Sequence, residues 1–136
     1  MENEMKLEIK SNPCNEEFAS ATVIAFISQI NPSLEEMNDI KVSVSEAVRN
    51  SIIHAYDSNE GIIQIKCSIV GKIVRIEVTD YGKGIRDVET AMEPSYTSKP
   101  ELDGMGFFVM ETFMGELKVE SAIGVGTKVF LEKTIW

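Results

Sequence analysis

Apolar and polar positions alternate from Met5 to Lys10, with Leu7 and Ile9 set against Lys6, Glu8 and Lys10. A period of two predicts a short strand. The pattern then lengthens to that of a helix. Ser11 or Asn12 can cap it, Pro13 suits its first position, and Glu16 and Glu17 favour its first turn. This helix is expected to reach about Ile30. Its apolar residues (Phe18, Ala21, Val23, Ile24, Ala25, Phe26, Ile27 and Ile30) occupy most of the circumference. A helix apolar all round is covered on more than one side, so one side is expected to meet a second subunit or a partner.

Asn31-Pro32 ends that helix, and Ser33-Leu34-Glu35-Glu36 has the spacing of a capping box. The next helix is expected to run to about Tyr56, with Met37, Ile40, Val44, Val48, Ile52 and Ala55 as its core stripe. Ile63, Ile65, Cys67 and Ile69 then alternate with polar residues, Gly71-Lys72 turns the chain, and Val74, Ile76 and Val78 alternate in a partner strand. A short helix is expected from Asp87 to Glu93. Pro94 to Asp103 has two prolines and no periodicity, so it reads as a mobile loop. Gly106 to Met114 reads as a helix. Leu117, Val119 and Ser121 alternate in a strand, Gly124 and Gly126 make a turn, and Thr127 to Thr134 is a last strand. The expected fold is α+β: a two-layer sandwich with a mixed, mostly antiparallel sheet and helices on one face.

The chain has 136 residues, which sets a prior of one domain, 1–136. Its 43% apolar content is ordinary for a soluble globular protein, and no apolar run nears the ~20 residues of a membrane span. Met1-Glu2-Asn3-Glu4-Met5 is unlike a signal peptide, so a cytoplasmic protein is expected. The net charge of −9 and the lack of a Lys/Arg cluster argue against direct nucleic-acid binding. With only Cys14, Cys67 and one histidine, His54, the common zinc spacings are excluded.

The candidate chemistry lies in four places. Glu46 and Asn50 are four apart and stack on one side of the second helix, roughly opposite Val44 and Val48 and beside Val42 and Ile53. A carboxylate and an amide oxygen so placed can hold a hydroxyl and a Mg²⁺ ion; a solvated helix face is the plainer alternative. Asp80 is in phase with Val74, Ile76 and Val78, so it is expected to point to the buried face of the sheet. A buried carboxylate needs a donor, and the exocyclic amine of adenine is one. The competing reading is a turn opened by Asp80 with Gly82. Gly82 and Gly84 allow positive φ and close approach. Gly104-Met105-Gly106 opens a helix whose free N–H groups can bind phosphate. Thr127, after the weaker Gly124-Val125-Gly126, can donate to a phosphate or ring nitrogen. His54 is expected to make a structural hydrogen bond, and Met110, Phe113 and Met114 are expected in the core.

In this order, Glu46…Asn50, Asp80-Tyr81-Gly82-Lys83-Gly84, Gly104-Met105-Gly106 and Gly124-Val125-Gly126-Thr127 resemble the four boxes of the GHKL ATPase/kinase superfamily. Ser45 to Tyr56, the loop Tyr96 to Leu102, and Gly106-Phe107 with Met110-Glu111 and Phe113-Met114 look like the sporulation anti-sigma F factors within it. That resemblance implies a homodimeric serine-protein kinase that binds ATP or ADP with Mg²⁺. It implies that the protein sequesters a sigma factor and phosphorylates a serine of an anti-anti-sigma factor. It also implies residue roles. Glu46 is the general base, Asn50 the Mg²⁺ ligand and Asp80 the acceptor for the adenine amine. Gly82 and Gly84 floor the base pocket with Thr127 nearby. Thr97, Ser98 and Lys99 lie in an ATP lid, and Gly104, Met105 and Gly106 face the phosphates. Two places depart from the pattern. Leu102-Asp103-Gly104 is short and lacks a basic residue, leaving Lys99 or Lys83 to meet a γ-phosphate; and Phe18-Ala19 is followed by Ser20 rather than Arg. Two alternatives stand beside this reading: a nucleotide-gated sigma-binding module with little kinase activity, and a stress-response anti-sigma kinase of the same family.

Overall fold

The computed structural model of the chain describes residues 1–57, 59–85, 88 and 106–136. The expected helix over Asp87–Glu93 and the loop over Pro94–Asp103 fall outside the described residues, apart from Val88.

Strand β1 (Glu2–Lys10) pairs along its whole length with β2 (Ile62–Val70), which turns through Gly71-Lys72 into β3 (Ile73–Asp80). β5 (Gly126–Thr134) pairs with β3 on one side and with β4 (Glu116–Ala122) on the other. The sheet order is therefore β1-β2-β3-β5-β4. Every pairing among the described strands is antiparallel, where the sequence pattern left room for a parallel pair. Gly71 takes φ +63°, the left-handed turn geometry that a two-residue hairpin loop requires.

Helices α1 (Asn15–Ile27), α2 (Leu34–Asn50) and α3 (Gly106–Phe113) contribute Val23, Ile27, Ile40, Val44, Val48, Phe107 and Met110 to one core with Ile63, Ile65, Ile69, Val74, Ile76 and Leu131 of the sheet. The opposite face of the sheet carries charged residues at alternate positions, including the exposed pair Arg75 Nε to Glu132 Oε1 at 2.7 Å. The two-layer expectation holds, with helices on a single face.

The start of α1 differs from the expected one. The N-cap is Cys14, in the αR region, and it makes no side-chain capping bond. Asn12 Oδ1 instead accepts from the Cys14 N–H at 3.1 Å, so Pro13 sits in a turn before the helix. Ser11 is diverted too: its Oγ donates to Asn59 O and accepts from the Gly61 N–H. At its far end the helix tightens into a 3₁₀ turn, Ser28–Ile30, and stops at Asn31 with φ 52°. The all-round apolar surface of α1 splits: Ala19, Val23 and Ile27 are buried, and Phe18 stays 52% exposed.

The capping box of α2 forms as its spacing predicts. Ser33 Oγ accepts from the Glu36 N–H at 3.1 Å, and Glu36 Oε1 accepts from the Ser33 N–H at 2.8 Å. These bonds, with that from the Trp136 N–H, hold the Glu36 carboxyl below the usual carboxylate range. After Asn50 the helix widens into a π turn, Ser51–Ala55. A π turn adds one residue to the last turn and rotates every side chain that follows.

Candidate functional site

The end of β3 carries the first cluster. Asp80 is 5% exposed on the helix-covered face of the sheet, as its phase with Val78 predicts. Its Oδ1 accepts from the N–H groups of Gly82 at 3.1 Å and Thr127 at 3.2 Å. Its Oδ2 accepts from Ser51 Oγ at 2.9 Å. Both readings of Asp80 are thus true at once: it points inward, and it closes the turn with Gly82. Burial raises its carboxyl above the usual range, against the pull of those three hydrogen bonds. A carboxylate offers about four lone-pair sites. Three are used, and the one left on Oδ2 can accept from a ligand amine.

Ser51, where α2 gives way to the π turn, lies over the strand end and so reaches Asp80. Tyr56 closes the same turn. Its hydroxyl donates to Ile62 O at 2.6 Å and accepts from the Tyr81 N–H at 2.7 Å, tying the start of β2 to the residue after Asp80. Burial raises the Tyr56 phenol, so it stays a donor.

The glycines act by close approach. A Cβ on Gly82 would overlap the Ala55 carbonyl, one on Gly84 the Ala122 carbonyl, and one on Gly126 the Asp80 carbonyl. Of the first two only Gly84 has positive φ, +80°. Gly82 is required by the nearness of Ala55 rather than by its own dihedral. Lys83 donates its N–H to Ala55 O, and the Gly124 N–H donates to Lys83 O, so this loop is pinned between the π turn and the β4–β5 hairpin. The Lys83 ammonium lies 3.3 Å from Asp57 Oδ1 on the surface.

The second cluster joins α2 to the start of α3. A Cβ on Gly106 would lie 3.1 Å from both amide atoms of Asn50 and 3.4 Å from Glu46 Oε2. Glu46 and Asn50, four apart on α2, therefore both face the first residue of α3, as a shared functional side requires. Glu46 and Asn50 are half-buried. At its other end α3 is held by Lys133, whose Nζ donates to Phe113 O at 2.8 Å and lies 3.4 Å from Asp39 Oδ2 on α2.

Of the predicted site residues, Glu46, Asn50 and Gly106 come together at the α2–α3 end, and Asp80, Gly82, Gly84 and Thr127 at the strand end. Thr97, Ser98, Lys99, Gly104 and Met105 lie outside the described residues. Ser51, Tyr56 and Ser121 were not singled out by sequence. Ser121 did carry a signal: it is a hydroxyl in phase with the inward positions Leu117 and Val119. Its Oγ accepts from the Ile85 N–H at 2.7 Å and lies 2.8 Å from Thr127 Oγ1. Met110 and Met114 are buried in the core, as expected. Cys67 is fully buried, which pushes its thiol up to about 12 and leaves it inert.

The fold thus brings together two clusters: a buried carboxylate beside a π turn at the end of β3, and a carboxylate–amide pair facing a glycine at a helix start. A family model described as a histidine kinase-like ATPase domain matches residues 12–133. An anti-sigma F factor of Clostridium kluyveri is 52% identical over 134 residues, covering 97% of this chain and 94% of that protein. One from Clostridium novyi is 53% identical over 136 residues, covering 98% and 95%. The structure of the RsbU and RsbW domains of Rv1364c from Mycobacterium tuberculosis superposes with a TM-score of 0.73 at 18% identity, covering 98% of this chain and 32% of that one, and so shares the fold. This chain belongs to the histidine kinase-like ATPase family and, within it, to the anti-sigma F factors.

Proposed function

We propose that this protein, as a single ATPase domain, holds a sigma factor of the F type inactive and phosphorylates a serine of an anti-anti-sigma factor from ATP. The observation that carries the enzymatic part is the convergence of Glu46 and Asn50 on Gly106. The relatives' shared name supports the sigma-factor part.

The residues present suit a magnesium nucleotide. Asn50 supplies a hard amide oxygen. Among the described residues no three His, Cys, Asp or Glu side chains converge into a metal cage. Mg²⁺ is commonly held by one or two protein oxygens plus phosphates and water, so a lone amide beside a phosphate-facing helix start is an appropriate donor set. When bound, the ion would neutralise phosphate charge. Adenine suits the strand end, where Asp80 Oδ2 keeps one acceptor site for the amine.

Phosphoryl transfer depends on positioning and electrostatics more than on covalent chemistry. Here Asn50 would hold the ion that steadies the phosphates, the N–H groups at the start of α3 would bind phosphate oxygens, and Glu46 would accept the proton of the incoming serine hydroxyl. Lys83 is turned toward Asp57, which leaves Lys99 as the candidate for a γ-phosphate contact. The exposed Phe18 side of α1 supports contact with a second copy or a partner. No helix among the described residues is long and apolar enough to cross a membrane.

Mixing the protein with its anti-anti-sigma partner, ATP and Mg²⁺ is expected to add one phosphoryl group to a partner serine, read by mass. Glu46→Gln should slow transfer by about 10²–10⁴-fold, the usual worth of a general base, while ADP still binds. Wild-type transfer rates in that variant would remove Glu46 from the role.

A further inference from the structure

Three side chains stand at directly opposed positions across three strands. Asp80 of β3 opposes Thr127 of β5, which opposes Ser121 of β4. They form a polar row on a sheet face that is otherwise apolar, at the end where the base slot lies. Asp80 contributes only acceptors. Thr127 is 7% exposed and contributes one hydroxyl, whose single proton can point along the row or into the slot. What Thr127 shows a ligand, donor or acceptor, therefore depends on its neighbour.

That neighbour is Ser121. Its Oγ accepts from the Ile85 N–H at 2.7 Å, which occupies one lone pair and fixes the hydroxyl against the loop following Asp80. Its own proton has two acceptors in reach, Thr127 Oγ1 at 2.8 Å and Gly126 O at 3.1 Å. If Ser121 donates to Gly126 O, Thr127 donates to Ser121 and shows the slot lone pairs only. If Ser121 donates to Thr127, the Thr127 proton is released toward the slot. The row then reads acceptor at Asp80 and donor at Thr127. That is the complement of an amine beside a bare ring nitrogen, as on the adenine edge. The other setting reads acceptor and acceptor, which adenine cannot satisfy.

We propose that Ser121 is a specificity-determining positioning residue: by donating to Thr127 it directs the Thr127 proton at the base, so that the row selects adenine over hypoxanthine-type bases. Hypoxanthine offers a carbonyl where adenine has its amine and an N–H where adenine has a bare nitrogen. Asp80 rejects the carbonyl, and a donating Thr127 rejects the N–H. The inference rests on the nucleotide-binding reading above and adds the residue that sets its selectivity.

Calorimetric binding of ADP and inosine diphosphate to the full chain separates the two. No uptake of ADP by the wild-type protein would sink the nucleotide reading itself. Given ADP binding, Ser121→Ala should narrow the ADP-to-inosine-diphosphate affinity ratio by about fivefold, the size of one net hydrogen bond. Ser121→Thr should restore it. An unchanged ratio, or equal weakening of both ligands, would mean that Ser121 only supports the loop. Thr127→Val gives an independent check. On that background Ser121→Ala should change the ratio no further, and a second full-sized change would overturn the proposal.

Discussion

Asp80 and Asn50 belong to the two halves of the proposed site, and the chain holds them by different means. The strand end is built on register. Asp80, Thr127 and Ser121 are lateral neighbours in a continuous ladder, and each is tied by hydrogen bonds of 2.7–3.2 Å to the next or to an adjoining loop. A ladder fixes side-chain positions through many parallel backbone bonds, and polar groups buried there are fully partnered: no buried side-chain nitrogen or oxygen among the described residues lacks a partner. The helix end is built on packing. Glu46 and Asn50 are oriented by the burial of Val44 and Val48 on the opposite side of α2 and of Ala47 beside them. Their partner α3 has only eight residues, is seated by Phe107 and Met110, and is anchored at its far end by Lys133. The difference suits the proposed division of tasks: recognising a flat base rewards donors and acceptors fixed by a ladder, whereas the proposed phosphate end rests on the seating of one short helix.

Three measurements test this contrast. The largest effect is expected from Asp80→Asn. The amide keeps an oxygen for the Gly82 and Thr127 N–H groups but turns a donor toward the base, so adenosine and ADP should both weaken by about 100-fold or more, as expected when a site meets a donor with a donor. Folding should not suffer. The Asp80 carboxyl is raised by burial, so at neutral pH the wild-type protein carries the cost of an ionised buried group. That cost fades as the pH falls through the raised pKa and is gone below the ordinary carboxylate range. Urea unfolding should find the variant no less stable than wild type at pH 7, with the difference shrinking in acid. A large loss of stability at pH 7 would show that the charge is needed for the fold.

Lys133→Met breaks the other end. It leaves Phe113 O and Asp39, whose side chain is 16% exposed, without their cation. A cost of about 2 kcal/mol is expected in urea unfolding. ADP affinity should fall while adenosine affinity holds, because only the phosphate contacts depend on α3. Equal weakening of the two ligands would erase the proposed division between the ends.

The smallest effect is expected from Ser33→Ala at the α2 capping box, about 1 kcal/mol in stability with no change in either affinity. Its pH dependence has the opposite sign to that of Asp80. The Glu36 carboxyl is held low by the Ser33 and Trp136 N–H groups, so the stability it contributes is present above the ordinary carboxylate range and is lost as the pH falls through the lowered pKa. Ser33→Ala removes only the Ser33 hydroxyl; the Ser33 N–H bond to Glu36 remains possible.

Much of this was legible residue by residue. The Ser33–Glu36 spacing specified the cap, the four-residue step from Glu46 to Asn50 specified a shared side, and the phase of Asp80 with Val78 pointed to a buried carboxylate, with a turn at Gly82 as the equal alternative. What could not be read was anything that depends on which strand lies beside which. Periodicity marks Thr127 and Ser121 as inward, but nothing local says that β5 enters between β3 and β4, and only that order creates the polar row. The π turn was hidden too: Ser51 to Ala55 continues the apolar pattern of α2, and no residue in it marks the extra one. The start of α1 was misplaced because Asn12 and Ser11 had two uses each. The backbone of Cys14 and the loop at Gly61 claimed the side chains that a helix cap would have used.

The bond from the Thr127 N–H to Asp80 spans 47 positions of the chain. A ribosome must therefore finish β5 before the proposed slot for a base can be completed. A chain cut short before Thr127 would hold Asp80 but lack the strand that partners it.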